Sequence, residues 1–129
     1  MAHILIADDD PVFVEVAALM LESYGHVVAV AADGEAAVAG ITSQTGVILV
    51  DVFMPVKDGL EVIIELRQTR PDLRIIAVSS TRNTDFDQLV TAKALGAHAA
   101  LAKPVAGDQL NDLVNRLLSG RGTHSNFMD

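Results

Sequence analysis

Short apolar runs alternate along this chain with segments whose apolar residues recur at helical spacing. The runs are His3–Ala7, His26–Val30, Gly46–Asp51, Arg74–Ser79 and Ala99–Ala102. The middle ones are nearly all apolar, as parallel strands covered on both faces should be. Ala99–Ala102 is weaker, because Ala is a poor strand former. Five helices are predicted between and after these runs. The first extends from about Pro11 to Tyr24, with Asp10 as N-cap, Pro11 at the first helical position and Gly25 as its stop. Phe13, Val16, Ala17 and Met20 recur along it at helical spacing. The second begins at Asp33 or Gly34 and carries Ala37, Val38 and Ile41. The third spans about Gly59–Arg70, with Leu60, Ile63 and Ile64 inward and Pro71 as its stop. The fourth spans about Thr84–Leu95 and ends at Gly96. The fifth has the cleanest stripe, Leu110, Leu113, Val114, Leu117 and Leu118, and ends at Gly120.

The resulting order, βαβαβαβαβα, predicts an α/β fold with a doubly wound parallel sheet and helices on both faces, three layers in all. Five strands favour the flavodoxin-like order 2-1-3-4-5. Residues 1–118 read as one domain without an internal linker or repeat. Ser119–Asp129 is polar and rich in Gly and Ser, and is expected to be a disordered tail.

Composition narrows the possible chemistry. The 129 residues are half apolar and carry a formal charge of −8. A negative surface repels nucleic acid, so no direct nucleic-acid partner is expected. The absence of Cys excludes disulfides, thiolate metal sites and cysteine nucleophiles. No apolar run reaches the ~18–20 residues that a membrane helix needs, and no membrane partner is expected. Met1–Ala7 is too short for a signal peptide before Asp8-Asp9-Asp10, so a cytoplasmic location is expected.

In open parallel sheets, ligands bind beyond the carboxyl ends of the strands. The predicted strand ends carry Asp8-Asp9-Asp10, Asp51, Ser79-Ser80 and Lys103-Pro104. Taken singly, each has an ordinary explanation: a helix-capping run, a turn residue, a self-bonded hydroxyl, a surface lysine. Taken together, three carboxylates, a hydroxyl and an ammonium share one crevice. Bare carboxylates ~4 Å apart repel by about 4 kcal/mol per pair at an effective dielectric near 20. A divalent cation would offset that charge, and all-oxygen ligands favour Mg²⁺ or Mn²⁺ over zinc. The pocket therefore suits a phosphoryl group with Mg²⁺. Asp10 is assigned to capping, and Asp58-Gly59 to a turn and helix start. His3, His26, His98 and His124 lack paired spacing and are expected at the surface or at strand edges rather than on a metal.

Four stretches carry a resemblance to a known family: ILIADDDP, VILVDVFMPVKDG, IIAVSS and LGAHAALAKP. Over about Ile4–Leu118 the chain resembles the receiver domain of two-component response regulators, here in stand-alone form. The most specific part is D-x-x-M-P-x-x-D-G, Asp51–Gly59. The resemblance implies that Asp51 is a phosphoacceptor served by a sensor histidine kinase or a phosphotransfer protein. It implies Asp9, Asp51 and the backbone carbonyl of Phe53 as direct Mg²⁺ ligands, with Asp8 acting through a metal-bound water. It implies that Lys103 pairs with the acyl phosphate, that Ser79 donates to a phosphate oxygen and that Pro104 follows a cis bond. Such a protein assists its own phosphorylation and dephosphorylation but is not a turnover enzyme, and it signals to a downstream protein.

Three features depart from the commonest family pattern. Ala100 stands where Tyr or Phe is usual, so an aromatic swing cannot relay the signal. The interval from Ser79 to Lys103 is longer than usual, with the extra length in Ser80–Asp87; that loop and the fourth helix are expected to carry the output. Ser79 takes the hydroxyl role in preference to Thr81, which would make the strand overrun. Phe53 places an apolar ring beside the acceptor, where it could hinder an attacking water. The alternative function is a pseudo-receiver that binds a partner constitutively, with Ala100 as its motive. An aspartyl phosphatase would want Asp where Phe53 stands, and a flavin protein would want a Ser/Thr/Gly loop where Asp8–Asp10 stands.

Overall fold

The computed structural model describes residues 1–79 and 85–120. Five strands, β1 (His3–Ala7), β2 (Val27–Ala31), β3 (Val47–Asp51), β4 (Arg74–Ser79) and β5 (Ala99–Ala102), alternate with five helices. The helices are α1 (Pro11–Ser23), α2 (Gly34–Gly40), α3 (Gly59–Thr69), α4 (Asp85–Leu95) and α5 (Gly107–Leu118). All strand pairs are parallel, in the order β2-β1-β3-β4-β5, as expected. The proposed start of the fourth helix at Thr84, most of the loop Ser80–Asp87 including Thr81, and the tail from residue 121 with His124 lie outside the described residues.

The two-residue period of a strand sends neighbouring side chains to opposite faces, and this chain has apolar residues for both. Leu5, Ala7, Ile48, Val50, Ile75 and Ala77 point to one face, under Ala37, Val62, Ile63, Leu66, Leu89 and Ala92 of α2, α3 and α4. Ile4, Ile6, Val47, Leu49, Ile76 and Val78 point to the other, under Ala17 and Leu21 of α1 and Leu110, Val114 and Leu117 of α5. Each such Leu, Ile or Val contributes roughly 1.5–3 kcal/mol on burial. β2 departs from the two-sided expectation: as an edge strand it leaves Val27 and Val30 exposed.

Caps fix the helix starts. Asp10 accepts from Val12 N and Phe13 N at the head of α1. Asp33 accepts from Ala36 N at α2. Asp58 and Glu61 form a reciprocal capping box at α3. Gly25, Gly96 and Gly120 have positive φ just past α1, α4 and α5, where the stops were expected.

The helical faces differ in part from the sequence expectation. Val16, Ile64 and Leu118 are exposed, and Leu21, Val62 and Leu66 take the core positions. α1 and α3 carry apolar residues on more than one side, so periodicity alone does not choose the buried one. His26 is also a correction. It is buried, not superficial, with its Nδ1 accepting from Ala2 N at 3.1 Å. Its Nε2 therefore carries the proton and donates to Asn111 Oδ1 at 2.7 Å. Among the described residues, no helix is long and apolar enough to cross a membrane.

Candidate functional site

β1 and β3 lie side by side at the centre of the sheet, where the strand order reverses, and β4 and β5 continue on the side of β3. Their carboxyl ends bring Asp8, Asp9, Asp51, Ser79 and Lys103 to one edge. One carboxylate oxygen from each of Asp8, Asp9 and Asp51 lies within 4.8 Å of the other two. Asp8 and Asp51 are buried, whereas Asp9 faces solvent.

The backbone explains these positions. Asp8 continues β1, held by its N–H to Ala31 O at 3.0 Å, and its Oδ1 accepts from Asp10 N at 2.9 Å. Asp51 is the last residue of β3, paired with Val78 of β4. The chain then turns sharply, and Gly59 N donates to Val52 O at 2.8 Å. A Cβ on Gly59 would fall 2.1 Å from Asp51 O, so only glycine lets α3 start this close to the end of β3. Lys103 N donates to Ser79 O at 2.7 Å, which ties the ends of β4 and β5 together. The Lys103–Pro104 bond is cis, as the resemblance implies.

Electrostatically the pocket is unbalanced. Burial, and then the charge of Asp8, push Asp51 up to about 7; Lys103 and a Phe53 N–H pull it down by less. That N–H contact, to Asp51 Oδ1, is long at 3.5 Å. The Lys103 ammonium sits on Asp8 Oδ2 at 2.9 Å rather than on Asp51. It also lies over the Phe13 ring, 4.5 Å from the centroid. Ser79 is fully buried, and its Oγ has no hydrogen-bond partner among the described residues. The donor set is all oxygen and anionic, which fits a hard divalent cation such as Mg²⁺.

The structure thus brings together Asp8, Asp9, Asp51, Ser79 and Lys103. Asp10 stays a cap, as expected. Phe53 stands at the rim, half exposed. Ala100 faces the core under α2, α3 and α4 and pairs with Ala77. Sequence reasoning missed the part of Phe13, which it placed only in an apolar stripe. The spacing from Asp10 puts Phe13 in the first turn of α1, but nothing in the sequence points that turn at Lys103.

Comparison with known proteins agrees with this geometry. The family model of the response regulator receiver domain matches residues 4–115. The chain is 26% identical over 119 residues to the response regulator SaeR of Staphylococcus aureus, covering 92% of this chain and 51% of that protein. It therefore spans about half the length of the curated relatives it matches. Among solved structures, a CheY-like response regulator receiver domain protein from Methanospirillum hungatei superimposes with a TM-score of 0.83 at 26% identity, covering 94% of this chain and 96% of that one. A receiver domain protein from Clostridium thermocellum gives a TM-score of 0.85 at 23% identity over 94% of this chain and 97% of that one, a likeness of fold. With the family model spanning nearly the whole described sheet and its acidic edge, the chain belongs to the receiver domain family of two-component response regulators.

Proposed function

We propose that residues 1–118 form a receiver that takes a phosphoryl group onto Asp51 and signals by phosphorylation-dependent contact with a downstream protein. The observation that carries this reading is a buried carboxylate at the end of the central strand, with two more carboxylates within 4.8 Å. The donor is a phosphohistidine on a sensor histidine kinase or a phosphotransfer protein. An ionised Asp51 oxygen attacks phosphorus. The O–P bond forms as the P–N bond breaks, and the imidazole nitrogen keeps the electron pair and takes a proton from solvent.

Asp9, Asp51 and the Phe53 carbonyl would hold Mg²⁺ or Mn²⁺ directly and Asp8 through a water, and the bound cation would supply charge that offsets the carboxylates and the phosphoryl oxygens. Lys103 exchanges Asp8 for a phosphoryl oxygen. Ser79, whose hydroxyl is buried and has no partner among the described residues, donates to another. The half-exposed Phe53 ring limits the approach of water to the product. The role is that of an acceptor that assists its own phosphorylation and dephosphorylation, in the cytoplasm, not that of a turnover enzyme.

Intact-mass measurement with acetyl phosphate and Mg²⁺ tests this. Wild type should gain one labile phosphoryl group, and Asp51→Asn or addition of a chelator should abolish it. Equal labelling of wild type and Asp51→Asn would overturn the assignment. No labelling of wild type, with partner binding unchanged by phosphodonor, would favour the pseudo-receiver.

A further inference from the structure

The Lys103 ammonium has two anionic neighbours within reach of its stem, yet it rests on one of them. It is 2.9 Å from Asp8 Oδ2 and makes no ion pair with Asp51. The third group at its position is the Phe13 ring, whose centroid lies 4.5 Å from Nζ. A cation is attracted to the negative face of an aromatic ring within ~6 Å, and more strongly when it is desolvated. Both conditions hold, since the Lys103 side chain is only 18% exposed. The ring is itself fixed. Phe13 lies in the first turn of α1, its N–H bonded to the capping Asp10, and it packs against the cluster under α1 and α5.

We infer that Phe13 is a positioning residue for phosphoryl transfer: its ring face holds the Lys103 ammonium inside the carboxylate pocket, ready to move from Asp8 to an arriving phosphoryl oxygen. The inference rests on the phosphoacceptor reading above. An ammonium on a four-carbon stem has many rotamers. Without the ring, only the carboxylates would select among them, and the ammonium would spend more time in water. The ring is not exchanged when the phosphoryl group arrives, so it acts as a fixed wall while the anion changes. Its loss should therefore slow the chemical step and leave cation binding alone.

Two measurements on the full chain test this. In wild type, the Lys103 ε-methylene protons should resonate upfield of those of Lys57 and Lys93, the other lysines, because the Phe13 ring current shields them. Phe13→Leu keeps an apolar side chain but should abolish that shift. At saturating Mg²⁺ and acetyl phosphate it should also slow labelling about three- to ten-fold, the size expected for a lost ring–ammonium contact. The Mg²⁺ midpoint should stay unchanged, and Phe13→Tyr should restore both shift and rate. Coincident lysine shifts in wild type, or labelling of Phe13→Leu at the wild-type rate, would overturn the inference. If wild type took no label at all, the functional reading would fall separately, and the wild-type shift would still decide whether the contact exists.

Discussion

The two ends of the sheet treat their polar groups in opposite ways. At the amino end they are saturated. His26 uses both ring nitrogens, on Ala2 N and Asn111 Oδ1. His98 Nδ1 accepts from Ile75 N. Arg70 reaches Thr42 O, Thr45 O and the Asp72 carboxylate, and Arg74 donates to Leu117 O. At the carboxyl end they are left open. Among the described residues Ser79 Oγ has no partner, the backbone contact to Asp51 is long, the Asp8 carboxylate crowds Asp51, and the Lys103 ammonium rests on Asp8 alone. An unsatisfied buried polar group costs about 1–3 kcal/mol. The proposed function reads that difference as an end kept for a ligand.

The largest effect should be a difference of sign between the ends. In the absence of metal at pH 8, Asp51→Asn should stabilise the fold by roughly 2–4 kcal/mol, because it removes a buried charge held against its preference. His26→Ala should destabilise it by a similar ~2–4 kcal/mol, leaving Ala2 N and the Asn111 amide unpartnered. Urea unfolding of both variants with a chelator present checks this. Two losses of stability would remove the contrast.

The pH dependence should separate the ends next. Asp51 is raised from 3.8 to about 7, so between these values the native state keeps a proton that the unfolded chain has lost. Its contribution to stability therefore falls as pH rises from about 4 to 7. His98 is lowered from 6.5 to about 4, by burial first and then by Arg74 and Arg67. Its contribution is present above about 6.5 and falls as pH drops towards 4. In metal-free wild type the two slopes oppose each other between about 4 and 6.5. Asp51→Asn should uncover a stability that rises with pH over that range, and His98→Gln one that falls, each by about 1–2 kcal/mol. Urea midpoints against pH for the two variants measure this, and parallel profiles would contradict it.

A third comparison lies within the acidic pocket. Asp9→Ala should weaken Mg²⁺ at least about ten-fold, and Asp8→Ala less, since a direct ligand loses a bond and an outer group only orientation. NMR titration of both variants reads the ranking, and the reverse order would exchange their roles. The smallest effect concerns the turn that closes the site. Val56 holds a φ of +71° on an exposed β-branched residue. Val56→Gly should gain about 1 kcal/mol of stability, read from thermal unfolding.

Much of this was legible in the sequence because strand ends and helix caps are local signals. The runs leading to Asp8, Asp51, Ser79 and Lys103, the cap at Asp10 and the helix starts at Asp33 or Gly34 and at Asp58-Gly59 stand where the residues placed them. What was not legible depends on distant partners or on ångström-scale choices. His26 is structural because Asn111 arrives from α5. The buried sides of α1 and α3 are selected by the sheet, since Val12, Val16, Leu19 and Ile64 would suit a core equally well by composition. Carboxylate repulsion alone predicts that removing Asp8 should stabilise the metal-free fold, but the ion pair with Lys103 opposes that gain and leaves Asp51 as the strained charge. The contact of Phe13 with Lys103 joins residues far apart in the chain, and no spacing rule reveals it.

The central claim is that the open polar groups at the carboxyl end form the receiving site, and that the saturated ones at the amino end are structural. It is tested most directly by amide NMR of the wild-type chain with Mg²⁺, with and without beryllofluoride, a mimic of the phosphoryl group. The account predicts large shifts at Asp8–Asp10, Asp51–Phe53, Ser79 and Lys103, with Ala2, His26, Asn111 and His98 essentially unmoved. No shift at Asp51 and Ser79, or shifts of equal size around His26 and His98, would contradict it.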